Sequence, residues 1–195
     1  MSTRSRDEFF RALSGRGGAD PTGARGTGLT GQLLAAFGAS PRDPSRPNTS
    51  AAAKALGVTQ RTVQRWIATG DRQRQRPRGQ TLDKITTRAR QAVTTKRGRQ
   101  RSIAAHADKL SKTGMRLNLT GMQGPERGPD YERFRTVSFD FDPQLAQSFM
   151  SAYIAGGDTA ARRFLSENAP ELYNMPTWTI SDVDSIHLSG PYGIS

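Results

Sequence analysis

Two pairs of carboxylates, Asp140/Asp142 and Asp182/Asp184, have a spacing that could hold Mg²⁺ for phosphodiester cleavage, the chemistry of nucleases and transposases. Both members of the first pair have a simpler use. Asp142 stands before Pro143 as a helix N-cap would, and Asp140 falls on the solvent face of an alternating strand. The chain has no cysteine, and His106 and His187 are far apart, so disulfides and thiolate metal sites are excluded and no structural metal is expected. It carries no Walker-type phosphate loop, nucleophile elbow or paired His/Ser arrangement, and no cofactor is expected.

Residues that read a nucleic acid are better represented. In TSAAAKALGVTQRTVQRWIATG, Ala53, Gly57 and Val63 have the spacing of a helix-turn-helix. Such a unit needs a small residue where its helices cross, a residue tolerant of positive φ four positions on, and an apolar residue six further on. Leu56, Val58 and Ile67 add apolar contacts, Thr59 is placed to cap the second helix, and Trp66 is expected to pack. The exposed positions of that helix read Gln60, Arg61, Gln64 and Arg65, side chains that hydrogen-bond base edges and phosphates in the major groove.

The charge around this unit is lopsided. Residues 54–116 hold 17 Lys and Arg against 3 Asp, net +14; residues 1–53 carry +3 and residues 117–195 carry −5, out of +12 for the whole chain. A polarised chain of this kind pairs a DNA-facing half with a protein-facing half. After the second helix, Arg72, Arg74, Arg76 and Arg78 alternate through GDRQRQRPRGQ as in an extended arm that follows phosphates or enters a minor groove. Lys96, Arg97, Arg99 and Arg101 are expected to add phosphate contacts from a basic helix, with affinity falling steeply with salt.

The elements that position these groups read as an α+β chain. Residues 1–47, rich in Gly and Pro, are expected to form a mostly flexible arm with a short helix at 7–13 and a docking turn at 29–37. The helix-turn-helix and its Arg-rich link occupy 48–79. Two basic helices fill 80–113, the period returning at Leu82, Ile85, Ala89 and Val93 and, after Gly98, at Ile103, Ala107 and Leu110. A small acidic ββααβ domain takes 114–195. Its first strands, around Leu117/Leu119 and Val137/Phe139/Phe141, flank a loop at 121–132, and Gly156-Gly157 separates its helices. No apolar run is long enough for a membrane span and no secretory signal is readable, so a cytoplasmic, nucleoid-associated protein is expected.

From about Ala51 onward the chain resembles the telomere terminal proteins that cap linear actinomycete chromosomes and plasmids. The resemblance rests on AAKALGVTQRTVQRWIATG, the Arg/Pro-rich link, KTGMRLNL, RFRTVSFDFDPQLAQSFMSAYIAGG and VDSIHL in that order. It implies a protein that becomes attached covalently to DNA 5′ ends, its side-chain hydroxyl replacing a primer 3′-OH. The chain would then be a polymerase substrate and not an enzyme. The implied partners are telomeric DNA, a DNA polymerase and a telomere-associated protein, with a homo-oligomer left open. In the family the acceptor is a threonine before the RFRTVSF-like strand. Here that stretch reads TGMQGPERGPDYERF, with no threonine at the nearest aligned place; Thr120 and Tyr131 bracket the loop and Thr136 follows it. A transcriptional or partition regulator, and a Mg²⁺-dependent enzyme using Asp140 or Asp184, are the other two classes the sequence leaves open.

Overall fold

Alternation of Met115, Leu117 and Leu119 with Arg116, Asn118 and Thr120 dictates a strand buried on one face, and that strand is the axis of the fold. A computed structural model describes residues 3–68, 75–125, 131–173 and 177–189. In chain order these form α1 (Thr3–Ser14), α2 (Gly28–Phe37), α3 (Thr49–Leu56), α4 (Gln60–Trp66), α5 (Gly79–Thr94), α6 (Lys96–Thr113), β1 (Met115–Gly124), β2 (Arg133–Phe141), α7 (Pro143–Tyr173), β3 (Thr179–Ile180) and β4 (Ser185–Ser189). The class is α+β, helices with one antiparallel sheet.

Strand β1 is central. β2 pairs along one side with Leu117 opposite Phe139 and Leu119 opposite Val137. On the other side β4 sets Ile186 opposite Leu119 and Leu188 opposite Leu117, while short β3 pairs further along, at Gln123 and Gly124. Gly121 is required between them, since a Cβ there would collide with the Asp182 carbonyl of the β3–β4 connection. The two strand pieces expected around Trp178/Ile180 and Ile186/Leu188 are β3 and β4, both held by β1. The loop expected at 121–132 is shorter, because β1 continues to Gly124.

Asp142 starts α7 by accepting a 2.7 Å hydrogen bond from Leu145 N, with Pro143 in the first turn where no N–H is needed. The helix breaks at Gly157, whose φ of 66° and ψ of −148° suit glycine alone. Phe149 and Tyr153 before the break and Leu165 after it cover the sheet's inner face, and Phe141 and Phe149 meet with ring centroids 5.4 Å apart.

Residues 1–47 correct the expectation of a flexible arm. Phe9 and Leu13 of α1 are fully buried in the same core as Ile103, Phe149 and Tyr153. Phe10, Leu34 and Ala35 join Ala89 and Ala92 of α5, and Leu33 joins Ala52, Val63, Trp66 and Ile85. The Gly-rich stretch is pinned by side chains: Arg11 donates to Ala19 O at 3.1 Å and pairs with Glu8, Glu8 also takes Arg25, Thr22 donates to Asp7 at 2.9 Å, and Thr27 donates to Asp20 at 3.2 Å. Composition pointed to disorder because the partners of this apolar face are distant in sequence.

The helical break expected at Gly98 falls instead at Thr95, whose extended backbone (φ −103°, ψ 143°) ends α5 and whose hydroxyl caps α6 by accepting from Gly98 N at 3.0 Å. Gly98 is buried inside α6, where a Cβ would strike the Gln91 carbonyl, so it sets how closely α5 and α6 approach. Among the described residues no helix is long and apolar enough to cross a membrane.

Candidate nucleic-acid interface

Helices α3 and α4 are built from local signals. Asn48 caps α3 by accepting from Ala51 N at 3.0 Å, and Gly57 ends it in the left-handed region at φ 70°, ψ 33°. Thr59 then caps α4, accepting from Thr62 N at 3.2 Å and sharing a 2.8 Å hydrogen bond with the Thr62 hydroxyl. The pair is seated through Ala53, Val63 and Trp66 against Leu33 and Ile85. Trp66 is therefore a packing residue.

What remains outside on α4 is polar. Gln60, Arg61, Gln64 and Arg65 are all exposed. Gln60 donates from Nε2 to Thr49 Oγ1 at 3.0 Å, which links the start of α4 to that of α3. Among the described residues no salt bridge engages Arg61 or Arg65.

Arg72 and Arg74 lie outside the described residues. Arg76 and Arg78 are exposed ahead of α5, flanking buried Pro77. Lys96, Arg97 and Arg101 are exposed at the start of α6, where cations oppose the helix dipole and are a net cost unless an anion sits nearby. Arg99, expected among the phosphate contacts, is a correction. It is 6% exposed, and its guanidinium donates to Ile154 O at 2.9 Å, Ala155 O at 3.0 Å and Val93 O at 2.9 Å. Those carbonyls belong to the turn of α7 before its break and the last turn of α5, whose orphan acceptors a guanidinium fork suits.

The hydroxyl candidates lie on the sheet. Thr120 is inside β1 and not at a loop edge; it sits opposite Thr136 of β2, their Oγ1 atoms 2.8 Å apart, with Ser185 of β4 opposite it on the other side. Thr136 is exposed and Thr120 half-buried, while Tyr131 is 49% exposed just before β2. The next row on this outer face is Ser138, Asn118 and His187, with Ser138 donating to Asn118 at 2.6 Å. Ser185 was missed from sequence; the Ile186/Leu188 alternation sends it to the outer face, but only the register sets it beside Thr120.

Asp140 is engaged by Arg116 at 2.6 and 2.9 Å, and that hydrogen bonding holds its carboxyl below the ordinary value of 3.8. Asp142 is used as the α7 cap, and Asp182 and Asp184 are exposed in the β3–β4 connection. Among the described residues no three His, Cys, Asp or Glu side chains group as metal ligands would. The arrangement offers an exposed polar helix face, basic flanks and an open sheet face bearing hydroxyls. No family model matches the chain, and neither a curated protein nor a solved structure matches it.

Proposed function

We propose that the chain is a DNA-binding terminal protein that caps the 5′ ends of linear replicons and supplies a side-chain hydroxyl as primer for terminal synthesis. In this reading α3 and α4 are a helix-turn-helix, α4 reads the major groove, and the sheet with α7 is a ββααβ unit that meets a DNA polymerase and a telomere-associated protein. The observation that carries the DNA half is the exposed set Gln60, Arg61, Gln64 and Arg65 on a helix fixed by Thr59 and Val63. The priming half is supported by the resemblance of residues 133–157 to those proteins and by hydroxyls presented on an open face.

The hydroxyl oxygen of Thr120, Tyr131 or Thr136 attacks the α-phosphorus of a nucleoside triphosphate. The bond to the β-phosphate breaks, pyrophosphate leaves and the hydroxyl proton passes to solvent. The polymerase provides metal ions and in-line geometry, so the chain acts as acceptor and not as enzyme. The test supplies cognate polymerase, a telomeric template and a labelled nucleotide. Label should stay on the protein through SDS and boiling, and be lost in one of Thr120→Val, Tyr131→Phe or Thr136→Val; absence of transfer to the unaltered chain overturns the reading. A transcriptional or partition regulator is the second reading, favoured by the α3–α4 pair taken alone, and predicts footprints on internal palindromes instead of replicon ends.

A further inference from the structure

A cavity of about 360 Å³ opens between α2, α5 and α6, away from the exposed face of α4 in sequence and built from different residues. Its lining includes Arg16, Phe37, Arg88, Gln91, Arg101 and Ser102, and no carboxylate. Arg16 is half-buried while Arg88 and Arg101 reach solvent, so three guanidinium groups concentrate positive charge around one hollow that is open to an entering anion.

Each arginine is held without being neutralised. Arg16 donates from Nη1 to Ala35 O at 2.9 Å and lies 5.8 Å from the Phe10 ring centroid; burial lowers its pKa, the mark of a cation short of solvent. Arg88 lies over Phe37 at 5.6 Å. Arg101 makes a long bond of 3.4 Å to Arg97 O. Among the described residues none of the three has a salt-bridge partner. A guanidinium has five N–H donors, so most remain free for an incoming oxyanion. Ser102 and Gln91 add neutral donors, and the cavity meets the first turns of α6, the positive end of that helix dipole.

We infer that this cavity is a phosphate-binding site, taking the phosphates of a nucleotide, whether free as a triphosphate or within a DNA strand. Tetrahedral phosphate oxygens match guanidinium forks, and the volume admits a diphosphate with room at the mouth for the attached nucleoside. The inference stands apart from end priming, because binding of a free polyphosphate needs neither a DNA end nor a polymerase.

The test uses the full chain with three probes: inorganic pyrophosphate and dATP by calorimetry, and a duplex by affinity across a salt series. Arg88→Gln/Arg101→Gln is compared with the unaltered protein, with circular dichroism and thermal midpoint as controls for folding. Ser102→Glu, which places a carboxylate in the cavity on a helix that tolerates it, keeps the test valid should the double variant misfold. A free-nucleotide site predicts at least tenfold weaker pyrophosphate or dATP binding in the variants. A strand site predicts a salt slope shallower by about 1, the signature of one lost phosphate contact. The first result supports the inference, as does the second when Ser102→Glu shows it too; a slope change confined to the arginine variant, which surface contacts of Arg101 with DNA would give, overturns it. Folded variants that match the unaltered protein with all three probes overturn it.

Discussion

Arg99 and Ile154 are 55 positions apart in sequence and joined by a 2.9 Å hydrogen bond from the guanidinium Nε to the carbonyl, one of three such bonds that tie α5, α6 and α7 together. Removing a buried cation from its acceptors leaves carbonyls unsatisfied, so Arg99→Ala should lose about 3 kcal/mol in urea unfolding. Arg99→Lys should recover only part, because an ammonium cannot fork across Ile154 and Ala155. The salt slope of DNA binding should not change, which separates this arginine from Arg97 and Arg101.

The face of α4 predicts the opposite pattern. Arg61→Ala and Arg65→Ala should each weaken duplex binding and flatten its salt slope by about 1 for a phosphate contact. Gln64→Ala should relax base preference by about 1–3 kcal/mol at one position of the site. All three side chains are exposed, so unfolding free energies should stay within about 0.5 kcal/mol. Binding assays on single-base variants of the site, beside thermal melts, check both parts.

Two glycines should respond differently to alanine. Gly57 has open space around it and a φ of 70°, so Gly57→Ala costs only the left-handed backbone, about 1–2 kcal/mol, and Gly57→Asn costs less. Gly98 has an ordinary helical backbone but faces the Gln91 carbonyl, which cannot rotate away. Gly98→Ala should therefore cost more than Gly57→Ala although alanine favours helices. Denaturant midpoints measured together rank them.

Asp7 gives a pH dependence with a definite sign. Burial is the largest influence on it and raises its pKa above 3.8, while the Thr22 hydroxyl and the Arg11 charge pull the other way. A carboxyl with a raised folded value favours the folded state fully below its unfolded pKa and loses that contribution as pH rises through the folded value. Asp7→Asn should therefore gain stability relative to the unaltered chain between about pH 3 and neutrality. A difference that stays constant across that range would show that Asp7 titrates alike folded and unfolded.

The parts legible in the sequence are those specified locally. Thr59, Gly57 and Asn48 act within a few residues of where they stand, so α3, its turn and α4 could be placed from spacing alone, as could the inward faces of β1 and β2 from alternation. The rest depends on partners that spacing does not reveal. Phe9 and Leu13 read as a short apolar stretch in a Gly-rich arm because Phe149 and Tyr153, which cover them, are far along the chain. Arg99 read as a surface cation because its acceptors are main-chain carbonyls, which carry no sequence signature. The hydroxyl candidates were legible by type only, since register puts Thr120 beside Thr136 and Ser185.

Helix α1 touches β4, so the first and last described elements close one core between them. Synthesis therefore leaves Phe9 and Leu13 without the Phe149 and Tyr153 rings that cover them until α7 has been made, and the loop entropy of joining such distant segments must be met before the core rewards it. The helical half can assemble early around α2, α5 and the α3–α4 pair and take Phe10 of α1 with it, whereas the Phe9/Leu13 face must wait. Late closure leaves one apolar face of α1 open through much of synthesis, and it makes α1 the clasp that joins segments far apart in the chain.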